Sequence, residues 1–176
     1  VLCGNIALNS LTNVATHLAA LGESAGELIV PSLDFSRQNN FGGLGLGLGE
    51  IEQGEPVAVV TLDSLGLGAC HFIKADVEGM EEPALRGAAE TIARHRPVLY
   101  FECDREEKAA SLLRYVDSLN YDLYWHRPPL FNPNNFRANP ENLFPNIVST
   151  NVLGVHRDTN SNINGLPRVG IPSEAE

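Results

Sequence analysis

From residue 71 to residue 119 the chain alternates between short apolar runs that suit a β-strand and longer stretches with helical spacing. Residues 71–79 read as a mostly apolar strand that turns at Gly79 into a helix. Met80, Ala84, Leu85, Ala88 and Ile92 then form a stripe at helical spacing, which predicts one helix over residues 80–95. Glu81 and Glu82 suit the positive N-terminus of that helix, and Pro83 is tolerated in a first turn. Pro97-Val98-Leu99-Tyr100-Phe101-Glu102 is a buried-strand pattern that ends in an acid. Asp104 and Glu107 have the spacing of a capping box, and the helix they would start carries the stripe Ala109, Leu112, Leu113, Val116 and Leu119. Strand, helix, strand, helix requires crossover connections and therefore predicts an α/β fold with a mainly parallel sheet.

The rest of the chain is less sharply marked. Residues 1–9 read as the end of a helix and residues 14–21 as a strand of mixed periodicity. Leu28-Ile29-Val30 is a strand bounded by Pro31, and a loop over residues 36–49 leads to a strong strand over residues 57–62. Asp63-Ser64 can cap a short helical turn. Past the second helix the chain crosses residues 122–126, a loop rich in Asn and Pro, and a last strand over residues 147–155. The tail from Asp158 is polar and punctuated by Gly and Pro, and reads as loose. No internal repeat is present, and 176 residues suit one domain.

The ionisable residues of the first strand carry the functional argument. Lys74, Asp76 and Glu78 are spaced by two, so an extended strand projects them to one face. Strands of an α/β sheet are covered on both faces, and an unpaired charge there is costly. Asp76 and Glu78 end one strand and Glu102 ends the next. If those strands are adjacent and parallel, three carboxylates gather at the carboxyl edge of the sheet, where open α/β folds place ligands. There they can act as a general base or hold a divalent cation through oxygen. The plainer alternative is that Glu78 caps the following helix and Lys74 pairs with a nearby acid.

Several other chemistries are disfavoured. The run Gly42-Gly43-Leu44-Gly45-Leu46-Gly47-Leu48-Gly49 imitates a nucleotide-binding loop, yet no strand leads into it, no marked helix follows, and Gly-x-Gly-x-x-Gly is absent. It reads as a mobile loop. The five histidines are scattered, and His71 and His126 read as structural. No Gly-x-Ser-x-Gly elbow occurs. Residues 130–136 read as an Asn-rich surface turn, or as a polar lid over a pocket. Cys3, Cys70 and Cys103 are widely spaced, which fits reduced thiols of a cytoplasmic protein and neither a disulfide framework nor a zinc site. A formal charge of −10, from 22 acids against 12 bases, argues against a nucleic-acid partner. No apolar run approaches the roughly 18 residues of a membrane span, and no charged leader opens the chain.

Taken together, these residues resemble the FkbM family of S-adenosylmethionine-dependent methyltransferases. The resemblance runs through Asn39-Asn40-Phe41-Gly42-Gly43, Thr61-Leu62-Asp63-Ser64-Leu65 and Ile73-Lys74-Ala75-Asp76-Val77-Glu78-Gly79-Met80-Glu81. It continues in Leu85-Arg86-Gly87-Ala88, Arg96-Pro97-Val98-Leu99-Tyr100-Phe101-Glu102, Asn132-Pro133-Asn134-Asn135 and Ser149-Thr150-Asn151. It implies a Rossmann-like class I methyltransferase sheet, mostly parallel with helices on both faces, over residues 1–157, followed by the tail 158–176. It also implies methyl transfer from S-adenosylmethionine, usually to an oxygen; the acidic charge and the Asn-rich loop fit a small polar or glycan-like acceptor. Asp76 is then expected beside cofactor and acceptor, and Glu78 and Glu102 are expected to orient the acceptor or take its proton. Asn40, Phe41, Gly42 and Lys74 are expected at the acceptor, and Asp76 with Glu102 are the candidates for a divalent cation. The family's Gly-rich cofactor loop and ribose-binding acid have no counterpart here and are expected upstream of Val1, so the chain reads as N-terminally truncated and as a poor cofactor binder by itself. Two alternatives stand beside this reading: a non-catalytic module that keeps the fold, and a metal-dependent carboxylate enzyme of another kind.

Overall fold

The computed structural model describes residues 1–32, 34, 36, 54–161 and 163–173. The glycine run and the candidates Asn40, Phe41 and Gly42 lie outside the described residues. Helix α1, Leu2–Leu8, buries none of its residues. Strands β1 (Ala20–Leu21), β2 (Gly26–Pro31) and β3 (Gly54–Val60) form a three-stranded sheet in the order β1-β3-β2. β1 runs parallel to β3, and β2 runs antiparallel to it. Of the strand expected over residues 14–21, only the last two residues pair.

The second sheet contains β4 (Phe72–Ala75), β5 (Val98–Glu102), β6 (Tyr121–His126) and β7 (Asn151–His156) in the order β4-β5-β7-β6. β4 and β5 are parallel, as a helical crossover requires. β7 inserts between β5 and β6 and runs antiparallel to both. The expectation of a mostly parallel sheet is therefore corrected: both sheets are mixed. Residues 121–126, a strand that the sequence reading did not assign, alternate Tyr121 and Leu123 inward with Asp122 and Tyr124 outward.

One apolar cluster joins Leu99, Phe101, Tyr121, Leu123 and Val152 of this sheet to Leu85, Ile92, Leu112, Leu113 and Val116 of the helices. On the opposite face Lys74, Tyr100 and Leu153 stay partly or fully exposed, so among the described residues helix packing on both faces is not seen.

The helix expected over residues 80–95 is two helices, α2 (Glu81–Arg86) and α3 (Ala89–His95). They separate at Gly87 because the chain there presses on another backbone: a Cβ on Gly87 would lie 2.0 Å from the carbonyl oxygen of Gly22. Asp63 seals the break by accepting hydrogen bonds from the backbone N–H groups of Glu90 (2.9 Å) and Thr91 (2.8 Å). Its own short 3-10 turn, Asp63–Leu65, is capped instead by Thr61 Oγ1, which accepts from Ser64 N at 3.1 Å. Helix α4, Glu106–Ser118, buries the expected Leu112, Leu113 and Val116. Its capping box does not form: Arg105 is the cap residue and no side chain bonds to the helix start. Part of the polar tail lies along β6, where Trp125 N donates to Pro167 O and Val169 N donates to Leu123 O. No helix among the described residues is long and apolar enough to cross a membrane.

Candidate active site

The parallel register pairs Lys74 with Tyr100 and Ala75 with Phe101. One residue further along each strand brings Asp76 beside Glu102. Alternation on β5 sends Leu99 and Phe101 into the core and turns Tyr100 and Glu102 to the opposite face. The chain leaves β4 at Asp76 and folds back through a tight turn in which Glu78 has φ +54° and Gly79 φ +91°. The same-face argument for Lys74, Asp76 and Glu78 therefore stops at Asp76; the turn, not strand alternation, returns Glu78 to the group. Carboxylate oxygens of Asp76, Glu78 and Glu102 all lie within 4.8 Å of one another.

Cations pair with two of the three acids. Lys74 Nζ donates to Asp76 Oδ2, with the two side chains 53% and 44% exposed. These strand charges are thus paired and solvated, in place of the buried charges that a strand covered on both faces would carry, because no helix among the described residues covers this face of the sheet. Arg105 Nη2 donates to Glu78 Oε2 at 3.0 Å from the start of α4. Its Nε is 3.4 Å from Asp104 Oδ1 without forming a hydrogen bond. Glu78 does not cap α2. Glu81 instead accepts from Val77 N (3.0 Å) and Gly79 N (3.1 Å) through one oxygen.

Burial raises the Glu102 carboxyl from 4.5 to about 7, with Asp104, Asp76, Glu78 and Glu81 adding like-charge repulsion. Close to neutral pH it is divided between a proton acceptor and a proton donor. On the same face the Tyr100 hydroxyl and His126 Nδ1 share a hydrogen bond of 2.7 Å. Burial raises the Tyr100 phenol, while Lys74 opposes and Asp76 adds to the shift. Behind β5, burial pushes the Cys103 thiol up to about 11, which makes it an inert core thiol.

Arg105, Glu81, Tyr100 and His126 were not legible as site residues. Tyr100 could have been found, being two residues before Glu102 on a strand, but the contacts of Arg105 and His126 join residues 27 and 26 positions apart.

Two cavities flank the turn. One, of about 360 Å³, lies between α2 and α4 against Gly79, Glu82, Arg86 and Lys108. The other, of about 240 Å³, is mainly apolar and is bounded by Leu21, Leu62, Phe72, Ile73, Ala84 and Leu85. Neither is lined by Asp76, Glu78 or Glu102. The acid cluster fits a positive sulfonium centre and an acceptor hydroxyl, but carboxylates alone offer no surface to a nucleoside. For S-adenosylmethionine the fit is to the reacting end only.

The sequence profile of the methyltransferase FkbM domain family matches residues 1–123. The chain belongs to this family. A crystal structure of the methyltransferase FkbM from Methylobacillus flagellatus KT is similar in fold, with a TM-score of 0.55 and 19% sequence identity. The similarity covers 87% of this chain and 32% of that one, so the chain spans about a third of the solved protein. No curated protein matches.

Proposed function

We propose that this FkbM chain supplies the acceptor side of a methyl transfer from S-adenosylmethionine to an oxygen of a small polar or sugar-like molecule. The observation that carries the proposal is Glu102, a carboxyl drawn up to about 7 and grouped with Asp76 and Glu78 at the carboxyl end of two parallel strands. When bound, S-adenosylmethionine would supply an electrophilic methyl group. The chain's own work is to seat the acceptor hydroxyl and remove its proton, because a neutral hydroxyl is a weak nucleophile. Glu102 takes that proton at a carboxylate oxygen. Asp76, neutralised in part by Lys74, orients the hydroxyl, and Glu78 is anchored by Arg105 to narrow the site. Asn40, Phe41 and Gly42 belong to the acceptor side in this reading, and the grip on the nucleoside is assigned outside the described residues.

The test is transfer of isotopically labelled methyl from S-adenosylmethionine to a panel of hydroxylated small molecules. Glu102→Gln should lower kcat by about 10²–10⁴-fold with little change in acceptor KM, as expected for loss of general-base catalysis, and Asp76→Asn should lower kcat/KM through loss of acceptor orientation. Unchanged turnover in both variants would sink the assignment. A second reading has a specific observation behind it: three carboxylate oxygens within 4.8 Å can share a divalent cation. It predicts turnover that a chelator abolishes and Mg²⁺ restores.

A further inference from the structure

Glu81 is a buried carboxylate, 5% exposed, that the proposed chemistry does not use. One of its oxygens, Oε1, accepts from the N–H groups of both Val77 and Gly79, the residues on either side of Glu78. These two amides meet on one oxygen within the turn, where Glu78 has φ +54° and Gly79 φ +91°. A non-glycine residue at positive φ is strained and persists only where its surroundings over-determine it. Glu81 closes the turn from inside, while Lys108 Nζ donates to Gly79 O at 2.8 Å from α4 and Arg105 holds the Glu78 carboxylate. A side chain at position 79 would be strained by the φ of +91°, and its Cβ would sit 3.1 Å from Lys108 Nζ.

We infer that Glu81 is a positioning residue: by bridging the Val77 and Gly79 amides it sets the backbone that delivers Asp76 and Glu78 to Glu102. The inference rests on the reading of those three acids as the acceptor site. It accounts for a buried carboxylate at the first residue of α2 whose hydrogen bonds go backward into the turn. A mere contribution of negative charge to the helix start would not require one oxygen to bridge two specific amides.

Two variants separate geometry from charge. Glu81→Gln keeps the side-chain length and an acceptor oxygen but removes the charge. Glu81→Asp keeps the charge but is shorter by about 1.5 Å, so its carboxylate cannot bridge both amides at hydrogen-bond distance. In the unaltered protein the Val77 and Gly79 amides, outside any helix or strand, should exchange with solvent at least about tenfold slower than free peptide. Glu81→Gln should hold that protection within about threefold, and Glu81→Asp should lose about tenfold or more, while Phe101 and Val152 amides stay unchanged. Crystal structures of the two variants should show the three acids still grouped in Glu81→Gln and spread apart in Glu81→Asp. Free-peptide exchange in the unaltered protein would overturn the inference. So would a Glu81→Asp variant that keeps the grouping, or a Glu81→Gln variant that loses it. None of these measurements needs a methyl donor. A catalytically silent chain would leave this inference standing, and a turn indifferent to Glu81 would leave the proposed chemistry standing.

Discussion

Replacing Glu102 by Gln should make the protein more stable, and only above a definite pH. The carboxyl is raised from 4.5 to about 7, first by burial and then by Asp104, Asp76, Glu78 and Glu81. In the unfolded chain it loses its proton near 4.5, so between about 4.5 and 7 the folded state binds the extra proton. Stability therefore falls as pH rises through that window, and the loss is complete above the folded value. A displacement of this size corresponds to at most about 3 kcal/mol for a fully desolvated group. Glu102 sits at a partly open sheet end, where solvent screening leaves about 1–2 kcal/mol. Glutamine has the shape of the protonated acid and cannot ionise. Urea or thermal unfolding of both proteins from pH 4 to 8 should give coincident stabilities at the acid end. By pH 8 the variant should lead by about 1–2 kcal/mol, or roughly 2–8 °C in Tm. A gap that does not vary with pH, or a variant less stable at pH 8, would refute the electrostatic argument.

Other expectations follow from single contacts. Asp63→Ala removes the side chain that caps α3 through Glu90 N and Thr91 N, and should cost about 1–2 kcal/mol in urea unfolding at pH 7. Burial works against the charged form of Asp63, but hydrogen bonds from Thr91 and Glu90 leave its carboxyl below 3.8, so the deficit should shrink only as pH falls through and below that value. Gly87→Ala drives a methyl group against the Gly22 carbonyl, and should lower stability by about 2–3 kcal/mol. Arg105→Met strips Glu78 of its cation and should cost about 1 kcal/mol. It should also move the Glu102 titration, followed by carboxyl NMR, to higher pH, because an uncompensated charge is left beside it; a shift to lower pH would contradict the geometry.

What the sequence made legible was whatever repeats locally. Strand endings at Asp76 and Glu102, each followed by a helical stripe, were enough to place two acids at one edge once the strands were taken as parallel neighbours. The insertion of β7 between β5 and β6 left no local trace, since strand order is decided by which faces meet. The break at Gly87 was hidden for a similar reason. The stripe from Met80 to Ile92 is continuous in sequence, and the contacts at the break, with Gly22 and Asp63, come from residues distant in the chain. Strand β6 is a different kind of miss: Tyr121, Leu123 and Trp125 do alternate, but the polar and aromatic residues between them mask the period. Asp104 and Glu107 had the spacing of a cap without its geometry, and Arg105 between them turned toward Glu78.

A carboxyl that destabilises the native state at neutral pH calls for an explanation that packing cannot give. A glutamine at position 102 would keep the pairing of β5 with Asn151 and remove the electrostatic cost, because that pairing uses backbone atoms. The surroundings moreover do little to relieve Glu102 directly. Lys74 is bound to Asp76 and Arg105 to Glu78, so the cations near the cluster are committed to its other two members. The arrangement sets the three acids apart: two are paired with cations, and the third, unpaired, has its carboxyl raised to about 7. In the proposed reading, this difference among the acids suits proton removal from a hydroxyl. The stability gained by Glu102→Gln above pH 7 and the turnover it loses would then be two readings of one electrostatic fact.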